Sequence, residues 1–202
     1  MKSNRIVLPP DIIKRCQEFG AGVVSRFKNG QKDASLFYAT HGFESDERGW
    51  ALSKMAECAA ALWFDMSVEC LNWTEKADEH DLVVGQTKIQ VKHTAFTSRV
   101  LLWPFNKIDR FDEDFNVLLL VKGDERNFLL AGWIGKESYR RRHLVSNGTK
   151  VSKGSWILDQ DELHRMNIFP GRSDDPRKHY CWCGEWASRG SDIGRRCQRH
   201  IG

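Results

Sequence analysis

The sequence predicts an α/β domain, a mixed central sheet flanked by helices, followed by a small C-terminal module. Three observations carry that prediction. Residues 49–65 hold a strongly periodic apolar helix. Several short strand-like segments follow it, punctuated by glycine and charged turns. The last 24 residues, HYCWCGEWASRGSDIGRRCQRHIG, gather three cysteines and a terminal histidine in a stretch too short to bury a core of its own. A chain of 202 residues holds one ordinary domain with room for such an appendage. The expected division is an N-terminal helical region (1–44), a core (45–166) and a basic tail (167–202).

The elements follow in order. Residues 9–25 open on PPD, and two prolines with Asp11 suit a helix start. Residues 26–46 are polar and contain glycine, apart from the apolar stretch ASLFYA. In 49–65, Leu52, Met55, Ala56, Ala59, Leu62 and Trp63 recur at helical spacing; Ala60, Ala61 and Phe64 thicken the face, predicting a helix packed on more than one side. SVECLNW (67–73) reads as a first strand, DLVVG (81–85) as a second and TKIQVKH (88–94) as a third, the last two joined through a tight Gly-Gln turn. NVLLLVK (116–122) reads as a central strand and NFLLAGWI (127–134) as its partner across the turn GDER. Residues 136–144 read as a short basic helix or loop, and Asp159 as the cap of a last helical turn. The segment FPGRSDDPRK reads as a linker.

Composition narrows the function classes. Apolar residues make up 41% of the chain, as in a globular core. No apolar run approaches the roughly 18 residues of a membrane-spanning helix. MKSNRIVLPPDIIKR has no stretch resembling a secretion signal, so the expected compartment is reducing and cytoplasmic. The net charge of +4 is compatible with a polyanionic partner, and the tail, with Arg172, Arg177, Lys178, Arg189, Arg195, Arg196 and Arg199, is more basic than the whole.

The chemistry concentrates in the middle. Glu57 lies in the apolar run MAECAAALWF, and a buried carboxylate is costly unless paired or metal-bound. Asp81 opens one strand; Gln90 and Lys92, two apart, share a face of the next. If the helix packs on that end of the sheet, two carboxylates, an amide and an ammonium meet in one small volume. Oxygen donors of this kind suit Mg²⁺ or Mn²⁺. Lys92 then either positions or deprotonates an attacking water or binds the transition-state oxygens as a cation. The plain structural alternatives are Glu57 as a partly exposed helix residue paired to an arginine or lysine, Asp81 ending a turn, and Lys92 solvated on an edge strand. His93 and Thr94 adjoin the site, and for His93 a structural role is as good a reading as a phosphate contact.

In this order and context the residues resemble the PD-(D/E)xK nuclease superfamily, over about residues 45 to 165. The resemblance implies a restriction-endonuclease-like fold and metal-dependent DNA hydrolysis, most simply endonucleolytic. It assigns the helix glutamate to Glu57, the motif aspartate to Asp81 and the motif lysine to Lys92. The second acid of the pattern falls on Gln90, so this chain reads Q-x-K and its metal site carries one negative charge fewer. The backbone carbonyl of Val91 is the further metal ligand the resemblance implies. NVLLLVKGDERNFLLAGWI and WILDQDEL are similar to family members that cut DNA without being restriction enzymes, such as junction resolvases and phage or repair nucleases. The expected setting is a bacterial or phage-infected cell. The rival expectation is an inactive nuclease-fold module that binds DNA, or a zinc-containing interaction protein.

In the tail, Cys181 and Cys183 are one residue apart, and Cys197 and His200 two apart. Three thiolates and an imidazole form a tetrahedral set that zinc favours, and four protein ligands make the site structural. Gly184 suits the turn that follows such a pair. The pattern resembles small C-x-C-G…C-x-x-H zinc modules of phage and prophage proteins. Tyr180, Trp182 and Trp186 interleave with arginines and serve equally for stacking on bases or for packing. Cys16, Cys58 and Cys70 read as core. Cutting both strands of a duplex with one such site per chain favours a homodimer, with Trp103, Phe105, Trp133 and Trp156 as contact candidates.

Overall fold

The structure is a computed structural model. It describes residues 3–28, 46–74, 80–98, 100–104, 116–135 and 155–169. The elements are β1 (Arg5–Val7), α1 (Pro10–Lys28), α2 (Glu47–Trp63), β2 (Leu82–Val84), β3 (Thr87–Thr94), β4 (Val100–Pro104), β5 (Val117–Gly123), β6 (Asn127–Gly135) and β7 (Ser155–Asp159), with short 3₁₀ turns at Val68–Cys70, Gln160–Glu162 and Met166–Ile168. A mixed five-stranded sheet runs in the order β1-β6-β5-β3-β2; β4 and β7 form a separate antiparallel pair. The β3–β5 pairing is parallel, and the other neighbours in the large sheet are antiparallel. The mixed α/β architecture expected from the sequence is therefore present.

β5 is central, and all seven of its residues are buried, as its continuous apolar run predicts. α2 lies between α1 and the sheet, so Met55, Ala56, Ala59, Ala60 and Ala61 are all buried. Its two-sided packing is the one its thick apolar face predicts. Asp46 starts α2 by accepting a hydrogen bond from the Gly49 N–H at 2.7 Å. α1 crosses closely at Gly20, where an added Cβ would come within 2.3 Å of the Glu47 carbonyl oxygen. Only glycine allows that approach. The described part of segment 1–44 is thus built into the core: Leu8, Ile12 and Cys16 join it, and β1 pairs with β6.

The β2–β3 hairpin turns at Gly85, whose φ of +62° is the left-handed conformation the Gly-Gln turn requires. In the β5–β6 turn, Asp124 Oδ1 accepts from the N–H groups of Arg126 and Asn127 at 2.9 and 2.7 Å, and these bonds hold its carboxyl below the ordinary range. One expectation is corrected. SVECLNW is not a strand. Ser67 caps a 3₁₀ turn over Val68–Cys70 by accepting from the Glu69 N–H, and the Trp73 indole N–H ties back to the Val68 carbonyl at 3.0 Å. Local side-chain bonding outcompetes an extended run here. Asp159 does cap a turn, through a capping box with Glu162, but the turn is 3₁₀ and follows strand β7.

Lys122, buried on β5, donates to Gln160 Oε1 at 3.0 Å and ties that turn to the sheet. Trp133 and Phe169 meet at 5.4 Å, and Phe64 and Phe169 at 4.9 Å, so Trp133 is core and not a free contact surface. Side chains at Trp103, Phe105 and Trp156 lie outside the described residues, as do residues 136–144. Among the described residues, no helix is long and apolar enough to cross a membrane.

Candidate active site

The site gathers where the middle of α2 meets the β2–β3 hairpin. Leu82 pairs with Ile89, so Asp81, one step beyond, falls beside Gln90. Its N–H donates to the Ile89 carbonyl at 3.0 Å. Its Oδ2 accepts two hydrogen bonds, from Gln90 Nε2 at 2.5 Å and from the Val91 backbone N–H at 2.6 Å. The carboxylate therefore takes over one backbone donor of β3 just past the end of β2. Gln90 and Lys92 alternate with buried Ile89 and Val91, the period-2 pattern of a strand with one covered face. Asp81 is bonded to the Gln90 side chain, so Asp81, Gln90 and Lys92 share one side of the sheet.

Glu57 approaches from α2, with its side chain 15% exposed. Its carboxyl is pushed up to about 8, first by burial and then by the negative charge of Asp81; Lys54 and Lys92 pull the other way. Glu57 thus experiences the charges of both Asp81 and Lys92, residues 24 and 35 positions downstream. The four residues singled out in the sequence, Glu57, Asp81, Gln90 and Lys92, belong to one electrostatic cluster.

Lys54 was not anticipated. It lies one helical turn before Glu57, and its side chain is only 7% exposed. Its Nζ donates to Glu57 Oε2 at 2.5 Å and to the Asn72 carbonyl at 2.8 Å. It also sits 4.8 Å from the Phe19 ring centroid and 5.9 Å from that of Trp73. The available signal was a lysine at i−3 from the glutamate, inside the same apolar helix. The pairing expected of a plain helix glutamate is present, but the pair is largely buried and not on a solvent-facing stripe: the helix supplies an ion partner, and the sheet supplies the charges of Asp81 and Lys92.

Two histidines adjoin the site. His93 Nε2 donates to the Gly123 carbonyl at 3.3 Å, which ties the ring to the β5–β6 turn, and burial lowers its pKa. The Nδ1 atom of His80, next to Asp81, is buried with no hydrogen-bond partner among the described residues.

The donor chemistry fits a hard divalent cation. The carboxylates of Glu57 and Asp81, the Gln90 amide oxygen and the Val91 carbonyl are all oxygens. Glu57 is also a carboxylate whose anionic form is disfavoured by burial and by Asp81, a cost that a cation relieves. Gln90 meets Asp81 through its amide nitrogen, so its oxygen is turned from that carboxylate. Among the described residues no group of three or more His, Cys, Asp or Glu side chains gathers around a metal position; this set has two carboxylates and relies on amide and carbonyl oxygens beside them. Cys181, Cys183, Cys197 and His200 lie outside the described residues. Of the other cysteines, Cys16 and Cys58 are buried with their sulfurs 3.7 Å apart, whereas Cys70, expected in the core, is exposed. Comparison with protein-family profiles, with curated proteins and with solved structures finds no match.

Proposed function

We propose that this protein is a Mg²⁺- or Mn²⁺-dependent deoxyribonuclease that hydrolyses phosphodiester bonds, most simply as an endonuclease of the PD-(D/E)xK type. The observation that carries the reading is the convergence of a buried helix glutamate on an aspartate, glutamine and lysine presented by one hairpin. Glu57, Asp81, the Val91 carbonyl and, with its amide turned over, the Gln90 oxygen would hold the cation. A divalent cation there supplies Lewis acidity toward a phosphate and acidifies a water. Lys92 faces the substrate side, where it orients the attacking water or neutralises charge developing on the phosphoryl oxygens. Gln90 and the Val91 N–H fix the Asp81 carboxylate, so its orientation is set before substrate arrives. Zinc held by Cys181, Cys183, Cys197 and His200 staples the basic tail, and two copies act together where both strands are cut.

A second reading has its own support. Gln90 donates to Asp81 and Lys54 donates to Glu57, so both carboxyl groups have hydrogen-bond partners from the chain itself. That is the chemistry expected of a nuclease-fold DNA-binding module without activity. A metal-titrated cleavage assay on linear, branched and single-stranded DNA separates the two. Cleavage that requires Mg²⁺ or Mn²⁺, and falls by roughly 100-fold or more in Lys92→Ala with DNA binding retained, supports the nuclease. Salt-dependent DNA binding without cleavage under any metal supports the module.

A further inference from the structure

We propose that Lys54 is a resident counter-cation of this site: it positions Glu57 and balances the carboxylates, so that a divalent cation binds strongly only together with a phosphate. The inference rests on the nuclease reading above and extends it to the order in which the site is filled.

The Lys54 ammonium is held on several sides and is not a surface pair. Beyond Glu57 and the Asn72 carbonyl, it sits against Phe19 of α1 and Trp73. Those rings are themselves fixed. Trp73 donates to the Val68 carbonyl, meets Phe19 edge-on at 6.3 Å, and carries the Arg15 guanidinium 3.8 Å from its ring centroid. Arg15 in turn forms a two-pronged pair with Glu69. Segment 67–74 and α1 thus build a seat for one ammonium beside Glu57, with contacts to the Asn72 carbonyl, Phe19 and Trp73 that do not involve the carboxylate.

The consequence is a matter of charge. The groups acting most strongly on Glu57 are Asp81, Lys54 and Lys92. With Glu57 itself ionised, they are two carboxylates against two ammoniums, because position 90 supplies a neutral amide. A site with a third carboxylate and a single lysine would carry a net charge near −2, which a divalent cation cancels by itself. Here the same cation leaves an excess of about +2 in a partly desolvated volume, an unfavourable state. A phosphodiester brings the compensating negative charge. Cation and DNA should therefore each tighten the other, by the same factor in both directions.

The test measures Mn²⁺ binding to the full chain by electron paramagnetic resonance of the free ion, with and without a non-cleavable phosphorothioate duplex. The duplex is expected to tighten Mn²⁺ by about tenfold or more, and Mn²⁺ to tighten the duplex equally. Lys54→Gln removes the charge while keeping a donor, and should shrink that ratio. Lys54→Arg keeps the charge and should preserve it. Circular dichroism establishes that each variant is folded; if Lys54→Gln does not fold, Lys54→Met, which removes the charge and keeps the apolar stem, is measured in its place, and a wild-type ratio in either of these two neutral variants overturns the role of Lys54. Mn²⁺ binding that is lost in Asp81→Asn but is indifferent to DNA overturns the role of Lys54 and leaves the nuclease reading standing. No Mn²⁺ binding even with DNA present overturns the nuclease reading itself.

Discussion

Replacing Asp81 separates two things its carboxylate does. Oδ2 accepts from Gln90 Nε2 and from the Val91 backbone N–H at 2.5 and 2.6 Å. Its negative charge also raises Glu57. Asp81→Ala leaves the Val91 N–H without its acceptor and removes a charge-assisted bond; for a half-buried group this costs about 1–3 kcal/mol. Asp81→Asn keeps an acceptor oxygen of the same reach and should lie within about 1 kcal/mol of the wild type. The charge has a separate signature. The Glu57 carboxyl is raised from 4.5 to about 8, so the folded state holds a proton that the unfolded state has released. Its contribution to stability therefore falls as pH rises through that window. Without the Asp81 charge the folded value drops, and Asp81→Asn should gain on the wild type between pH 5 and about 8. Urea unfolding of the three proteins at pH 5, 7 and 8.5 reads both effects, and a cleavage assay reads whether the charge is needed for chemistry. Equal midpoints for the alanine and asparagine variants would show that the Asp81 hydrogen bonds carry no stability. A pH-independent gap between asparagine and wild type would refute the coupling to Glu57.

Three further outcomes are expected. Binding of Mg²⁺ or Mn²⁺ to the protein carrying a non-cleavable duplex near pH 7 should release a proton from Glu57, with affinity rising toward about pH 8 and then levelling; calorimetry in buffers of different ionisation enthalpy measures it, and buffer-independent heats would contradict it. Gln90→Glu places a second carboxylate where the amide now donates to Asp81, so it should lower the melting temperature in EDTA and recover it with Mg²⁺; a shift indifferent to metal would count against the site. Elemental analysis of protein purified without chelator should find about one Zn²⁺ per chain, lost in Cys197→Ser; zinc that persists in that variant would refute the assigned ligands.

Much of the site's position was legible because short-range rules govern it. α2 carries its period over several turns, and the alternation from Thr87 to Thr94 states which residues share a face. Gly85 marks the turn that sets Asp81 against Gln90. Lys54 was not legible in the same way. A lysine at helical spacing looks like a solvated stripe; its burial comes from Phe19, Asn72 and Trp73, which arrive from other segments. The misread strand at 67–73 has a related cause. Seven residues are too few for periodicity to decide, and the decisive bonds, from Glu69 N–H to Ser67 and from the Trp73 indole to Val68, are specific rather than periodic. β1 has three residues and no pattern of its own; only the edge of β6 makes it a strand.

That edge has a counterpart. The two outermost strands of the large sheet, β1 and β2, are each three residues long, while β3 and β6 beside them have eight and nine. Among the described residues each rim strand is thus brief, and the longer β3 and β6 run on past it. Such stunted rims discourage copies from zipping together through their strands. Rims this short favour, for any pair of copies, a junction built from side chains and not from a shared sheet.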